Sequence, residues 1–198
     1  MSGFPVHTLE SAPAASRQML QASTDRFGFL PNLMGVMAEA PATLQGYLAL
    51  GEAFAATSLT PVEQQLVLLT VSRHNACAYC MAAHSAGAAM AGMDQEDVQA
   101  LRTGASLRDP GLEALRLFTL SVLEKRGWAS RDDQEAFRAH GYTHQQILEV
   151  LLGVSMKTLS NYVNHIAGTP LDEEFSAVAW TPEEERAGAA TTPNPTGA

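Results

Sequence analysis

The sequence predicts an all-α fold. Three observations carry this: apolar residues recur at three- and four-residue spacing, residues that start and stop helices bracket those stretches, and no stretch of strand length alternates polar with apolar side chains. Ala14 to Phe27 is a weakly amphipathic helix, which Gly28-Phe29-Leu30-Pro31-Asn32 breaks with a glycine and a proline. Pro41 fits a helix's first position, and Thr43 to Ala56 carries Leu44, Tyr47, Leu48, Leu50 and Phe54 at helical spacing. Thr60-Pro61 pairs a cap with a first-position proline and opens an apolar helix through Leu66, Val67, Leu69, Thr70 and Val71. An alanine-rich helix follows, expected to take Asn75 as its cap and to stop at Gly92. Asp94 caps a short helix to Leu101, with Glu96 and Asp97 in the first turn and Gly104 as the stop. Gly111 to Lys125 puts Leu112, Leu115, Phe118 and Val122 on one stripe before Gly127. Ser130 to Ala139 has a cap and an acidic first turn, and Thr143 to Ile166 is the longest helix, entered through the capping box Thr143-His144-Gln145-Gln146. After Gly168-Thr169-Pro170 only short structure is expected.

With 46% hydrophobic residues in a chain of 198, the simplest division is one globular domain over residues 1–180. Residues 181–198, rich in Ala, Thr, Pro and Glu without an apolar period, are expected to be a disordered tail. A formal charge of −9 and the lack of any Lys/Arg cluster argue against a nucleic-acid or anionic-membrane surface. No apolar run approaches the roughly 18 residues of a membrane span, and Met1 to Glu10 has no signal-peptide pattern. The expected location is therefore cytoplasmic, where a reducing environment fits a dithiol that is re-reduced in each cycle.

The two cysteines lie in Asn75-Ala76-Cys77-Ala78-Tyr79-Cys80-Met81-Ala82-Ala83-His84. At about 100° per residue, Cys80 falls roughly 60° from Cys77, and His84 about 20° from Cys77 and 40° from Cys80. All three share a helix face, the cysteines near the N-terminus where the dipole favours a thiolate. His84 can draw a proton from Cys80 one turn away, and the second sulfur can close a disulfide after oxidation. Which thiol is the more acidic stays open on these grounds, since the helix terminus favours Cys77 and the spacing to His84 favours Cys80. Competing readings are plain core packing, a zinc site on Cys77, Cys80 and His84 completed by His74 or the His140/His144 pair, and a structural disulfide. Zinc lacks a second cysteine pair, and so short a loop closes little chain entropy. His74 stands three residues before Cys77, where it tunes the thiolate or simply faces solvent; His165 reaches the site from a neighbouring segment or subunit, or caps its helix. Trp128 and Trp180 are expected in the core or in subunit contacts. No flavin, haem or nicotinamide motif is present, and no cofactor is expected.

The run from Leu59 to Ser72 leading into Asn75-x-Cys77-x-Tyr79-Cys80-x-x-x-His84 resembles the AhpD-like alkylhydroperoxidase group of the carboxymuconolactone decarboxylase superfamily. Gly28-Phe29-Leu30-Pro31-Asn32 and Asn161-Tyr162-Val163-Asn164-His165 are similar to the peroxidase-related branch of that group, so the likeness spans residues 25–180. The resemblance implies an all-helical antioxidant enzyme that reduces hydroperoxides, with Cys80 peroxidatic, Cys77 resolving and His84 transferring protons. It implies a lipoyl-bearing or thioredoxin-like protein as the dithiol reductant, and a homo-oligomer, either a trimer or a hexamer built from dimers. Characterised relatives carry a relay glutamate twelve residues before the first cysteine, and this chain has Gln65 there. A glutamine holds a hydrogen bond but takes up no proton at neutral pH. Glu63 points about 160° away from Gln65 on a helix, and Tyr79, with an ordinary pKa near 10, is a weak relay. The alternatives are a decarboxylase or lactone-processing activity, which needs no dithiol, and a non-catalytic redox sensor, which Gln65 favours.

Overall fold

Side-chain caps fix where the helices begin. Thr60 and Glu63, Ser130 and Asp133, and Thr143 and Gln146 form reciprocal capping boxes, while Asp94 and Asp109 each accept one backbone N–H. The computed structural model describes residues 3–182. In order these form α1 (Ala14–Phe27), α2 (Asn32–Met37), α3 (Pro41–Ala55), α4 (Pro61–His74), α5 (Ala78–Met90), α6 (Gln95–Thr103), α7 (Pro110–Glu124), α8 (Arg131–Ala139) and α9 (His144–Ala167), then a 3₁₀ turn (Glu173–Val178). No strand occurs among the described residues, so the fold is all-α as expected. None of the described helices is long and apolar enough to cross a membrane. The tail expected over residues 181–198 falls, from residue 183 on, outside the described residues.

The middle of α4 is apolar all round, and accordingly it is the buried axis, with Leu66 to Ser72 enclosed by α5, α7 and α9. The larger core lies along α4, α7 and α9 and includes a ring stack of Phe118, Phe137 and Tyr142, with centroids 4.5 and 4.3 Å apart. A smaller core gathers Leu20, Leu33, Met34, Met37 and Leu44 from α1 to α3 around Cys77, Tyr79 and Cys80. α9 spans both. Where it crosses α3 and α4, Gly153 leaves room for Phe54 and Val67; a Cβ there would lie 2.6 Å from the Phe54 ring. That close approach sets the depth of α9 beside α5.

Three expectations needed revision. The Pro31-Asn32 segment starts the six-residue α2, too short to show a period, instead of merely breaking the chain. Asn75 caps the end of α4, and Cys77 is the residue at the N-cap of α5. The cause is Ala76, whose left-handed φ of 53° turns the chain so that Cys77 N–H donates to Ser72 O at 2.9 Å. Trp128 is exposed and Trp180 buried, so the core expectation holds for the second only. Beyond α9, residues 170–180 run back over α5. Asp172 accepts from Tyr79 Oη and from Asn32 N–H at one end, and Arg102 donates to Val178 O and Ala179 O at the other.

Candidate active site

The tight α4–α5 turn puts two reduced cysteines at the start of one helix, Cys77 at the N-cap and Cys80 in the first turn, each only 1% exposed. The facing wall is the C-terminal half of α9. Lys157, Ser160, Asn161 and Asn164 follow the i, i+3, i+4, i+7 rule, so all four project from one face, and all four are buried. Asn164 Nδ2 donates to Cys80 Sγ at 3.2 Å and lies 3.7 Å from Cys77 Sγ. Ser160 Oγ is 3.9 Å from Cys80 Sγ, and Asn161, whose Oδ1 accepts from Asn75 Nδ2 at 2.9 Å, turns a buried Nδ2 without a hydrogen-bond partner into the same region.

Polar groups on a buried face need partners, and here the sulfur supplies one for Asn164 Nδ2. Burial pushes the Cys80 thiol up, but the hydrogen bond from the Cys77 thiol, the Lys157 ammonium, Asn161 and Ser160 together pull it below the ordinary thiol range. Cys77 moves the other way. Its hydrogen bond to Cys80, burial and the neighbouring negative sulfur all hold its proton on. The pair therefore carries one thiolate, on Cys80, and one thiol, on Cys77. The helix N-terminus acts on both residues, so the split arises from α9, which the spacing of the cysteines does not reveal.

His84 has both ring nitrogens engaged: Nε2 lies 2.7 Å from Lys157 Nζ and Nδ1 lies 3.0 Å from Gln65 Oε1. An ammonium only donates, so Nε2 accepts and Nδ1 carries the proton that it gives to Gln65. Burial and the Lys157 charge push the imidazole well below its ordinary pKa, so His84 is neutral. Lys157 itself is 1% exposed; burial favours its neutral form, but the Cys80 thiolate beside it outweighs that and keeps it protonated. Gly87 makes this chain possible, since a Cβ there would crowd Gln65 Oε1 at 3.0 Å.

The structure brings Cys80, Cys77, His84 and Gln65 together and leaves the other candidates outside. Glu63 is spent on the Thr60 cap, and the exposed His74 sits at the end of α4. His165 is exposed against the Tyr162 ring at 6.4 Å. Tyr79 turns away from the sulfurs toward Asp172, and burial plus that carboxylate drives its pKa far up, so it keeps its proton. Among the described residues no three metal-ligating side chains converge, which removes the basis of the zinc reading: both nitrogens of His84 are committed, one of them to a cation. Lys157, Ser160 and Asp172 had no part in the sequence-based reading. The signal for Lys157 and Ser160 is a polar stripe within a helix where the core period asks for apolar residues; Asp172, in the segment beyond α9, carries no such signal.

A cavity of about 450 Å³ opens over Cys80, His84 and Lys157, walled by Phe27, Phe29, Leu33, Met34, Met90 and Phe175. Phe175 reaches it from the 3₁₀ turn and packs edge-on against Phe29 and Tyr79, at 5.6 and 6.3 Å.

Residues 41–119 match the carboxymuconolactone decarboxylase family. No curated protein matches the sequence. Among solved structures, a peroxidase-related protein with an alkylhydroperoxidase AhpD core from Ralstonia eutropha JMP134 is similar with a TM-score of 0.79 at 25% identity, over 87% of this chain and 93% of that one. A peroxidase-related protein from Silicibacter sp. TM1040 gives 0.72 at 18% identity, over 87% and 92%. The debrominase Bmp8, as a Cys→Ala variant in complex with 2,3,4-tribromopyrrole, gives 0.71 at 16% identity, over 88% and 94%. The family match over residues 41–119 and the likeness to an AhpD-core structure together support the resemblance to the AhpD-like group of the carboxymuconolactone decarboxylase superfamily.

Proposed function

We propose that the protein is a thiol peroxidase that reduces organic hydroperoxides through a Cys77/Cys80 dithiol–disulfide cycle. The observation that carries this is the buried Lys157 ammonium, set on the same face of α9 as the Asn164 donor and the Ser160 hydroxyl, beside a sulfur that has a second thiol within hydrogen-bond reach. Cys80 thiolate attacks the terminal peroxide oxygen. The O–O bond breaks, an S–O bond forms, and the departing alkoxide takes a proton from Lys157 to leave as an alcohol. Cys80 is then an uncharged sulfenic acid, so the like charge that kept the proton on Cys77 is gone. Cys77 gives that proton to the neutral Lys157 amine and attacks Cys80; the S–S bond forms, and hydroxide leaves as water with the same proton. An external dithiol protein, lipoyl-bearing or thioredoxin-like, reduces the disulfide and is itself oxidised. His84 holds Nζ through its lone pair, and Gln65 fixes the tautomer that exposes it. A cation in the cavity thus takes the place of a relay carboxylate.

The test is rapid mixing of reduced protein with one equivalent of cumene hydroperoxide. Both thiols should disappear far faster than a free cysteine reacts; Cys80→Ser should be inert, and Cys77→Ser should stop at a trappable sulfenic acid. Loss no faster than free cysteine sinks the reading.

The aromatic lining by Phe27, Phe29 and Phe175 favours one second reading, a brominated aromatic substrate of the kind named for debrominase Bmp8. There Cys80 would take bromine from a ring carbon that gains a proton from Lys157, and Cys77 would displace bromide to form the disulfide. Bromide release from a bromopyrrole, with hydroperoxides untouched, would move the assignment. A lactone or decarboxylation activity that survives loss of both cysteines would remove the dithiol from the chemistry altogether.

A further inference from the structure

The cavity over Cys80 is larger than hydrogen peroxide needs and carries one cation more than it has anions. Its volume of about 450 Å³ adjoins a second hollow of about 520 Å³, and the two share Arg26, Phe27, Met34, Tyr47, Gln65 and His84 as lining. Each falls in the range of roughly 300–1,000 Å³ typical of a site for a ligand of many heavy atoms. The walls are mainly apolar, with Phe27, Phe29, Phe175, Met34 and Met90 as the large side chains, so most of that ligand is apolar. The chain as a whole has a formal charge of −9, yet no carboxylate lines the Cys80 cavity; its charged residues are the Cys80 thiolate, which Lys157 balances, and Arg26, which has no anion opposite it in the lining. The second hollow adds one carboxylate, Glu52, which places an anionic group at the Arg26 junction instead of deeper in that hollow.

The two cations differ in what is left for them to do. Lys157 is buried and committed to His84 and the sulfurs. Arg26 is exposed in the last turn of α1, its guanidinium 5.6 Å from the centroid of the Phe27 ring, where solvent and both hollows meet. A guanidinium beside an aromatic face presents its forked N–H groups to a planar carboxylate.

We infer, resting on the peroxidase reading, that the substrates are hydroperoxides of long-chain carboxylic acids: the carboxylate seats on Arg26, the alkyl chain lies along Phe27, Phe29 and Met34, and the peroxide part-way along the chain meets Cys80. The wall accommodates the chain, and the cation selects the acid over its neutral derivatives.

The experiment compares second-order rate constants for thiol oxidation by linoleic acid hydroperoxide and by its methyl ester, which share the peroxide and the chain. At low ionic strength the acid should be favoured by about tenfold, the size of one charge-assisted hydrogen-bonded contact. Arg26→Gln should bring the ratio near one, Arg26→Lys should retain part of it, and added salt should lower it in the native protein only. Acid and ester oxidising the native protein alike, or a ratio unmoved in Arg26→Gln, overturns the inference while leaving the peroxidase standing. Binding of oleate and methyl oleate to the Cys80→Ser protein, read by displacement of a fluorescent fatty acid, separates the two claims. If no hydroperoxide reacts yet oleate binds in an Arg26-dependent way, the carboxylate site stands and the peroxidase reading fails; if methyl oleate binds as well as oleate, the carboxylate site is refuted.

Discussion

The two halves of α9 face the same protein interior with opposite chemistry. Its N-terminal half buries Val150, Gly153 and Met156 against Phe54 and Val67, an apolar seam of ordinary core. One turn further, the same buried face becomes Lys157, Ser160, Asn161 and Asn164. Burying an ammonium and two amides opposes folding unless each finds a partner, whereas every carbon in the first half favours it. Sulfur and imidazole partner the Asn164 amide and Lys157, yet Asn161 Nδ2 and Asn164 Oδ1 are buried without hydrogen bonds, so that region gives up stability to hold one anionic sulfur. The first half tells where α9 sits, and the second what it is there for.

The largest expected effect comes from Lys157→Met, which keeps the length of the side chain and removes the charge. Cys80 then loses its nearest cation, and the ultraviolet absorbance of its thiolate should titrate well above the native position. Hydroperoxide reactivity should fall by about a hundredfold or more, because the proton donor goes as well. The pH dependence of stability provides a second check. Cys80 is an acid whose folded pKa lies below its unfolded value, so its contribution is fully present above the ordinary thiol range and is lost as pH falls through the folded value. His84, also depressed, adds to the same slope near and below its ordinary pKa, since unfolding lets it take up a proton. Stability of the native protein should thus rise with pH across the neutral range, and Lys157→Met should flatten that rise. Denaturant unfolding at several pH values measures it, and an unchanged slope would detach Lys157 from the thiolate.

On the apolar half the matching change is Gly153→Ala. Its Cβ would meet Phe54 Cε2 at 2.6 Å and Val67 at 3.0 Å, so α9 or Phe54 must shift, at a cost of about 1–3 kcal/mol. Thermal unfolding should fall by roughly 2–4 °C per kcal/mol for a chain of this size. If reactivity of the folded variant collapsed instead, the division between the two halves would be wrong.

Much of this was legible in the sequence. Caps and stops located most of the helices because a capping box acts locally, as Thr60 with Glu63 and Thr143 with Gln146 illustrate. The dithiol and His84 were legible because one helical turn brings them together. Lys157 was not, because it lies 73 positions from His84 and no local rule couples them. Asn75 misled for a related reason: a cap residue is judged from its own neighbourhood, and the left-handed Ala76 moved the helix start by two positions. Gln65 was singled out as a departure, but that its His84 partner faces a cation on the other nitrogen emerged only with α9 in place.

Gln65→Glu sharpens the comparison from the other side of His84. A carboxylate accepting from Nδ1–H would stabilise the imidazolium and raise the His84 pKa toward its ordinary value. A protonated His84 cannot accept from Lys157, so the ammonium and the imidazolium would compete for one charge. NMR titration of the ring protons reads the shift directly. A pKa that stays put would mean the Gln65 contact does not control the ring.

The smallest effect belongs to Ala76→Gly. Ala76 holds φ at 53° at the turn that delivers Cys77 to the N-cap of α5, a conformation that costs an L-residue with a Cβ roughly 1–2 kcal/mol and glycine nothing. Glycine gives part of that back through greater freedom in the unfolded chain, leaving a net gain of up to about 1 kcal/mol. The variant should melt a few degrees higher with the thiolate titration of Cys80 in place, because the turn geometry is kept and α9 is untouched. A higher melting temperature accompanied by an upward move of that titration would mean the strained turn itself contributes to holding the sulfur against Lys157 and Asn164, and the cost of the site would then be shared between α9 and the backbone of the α4–α5 turn.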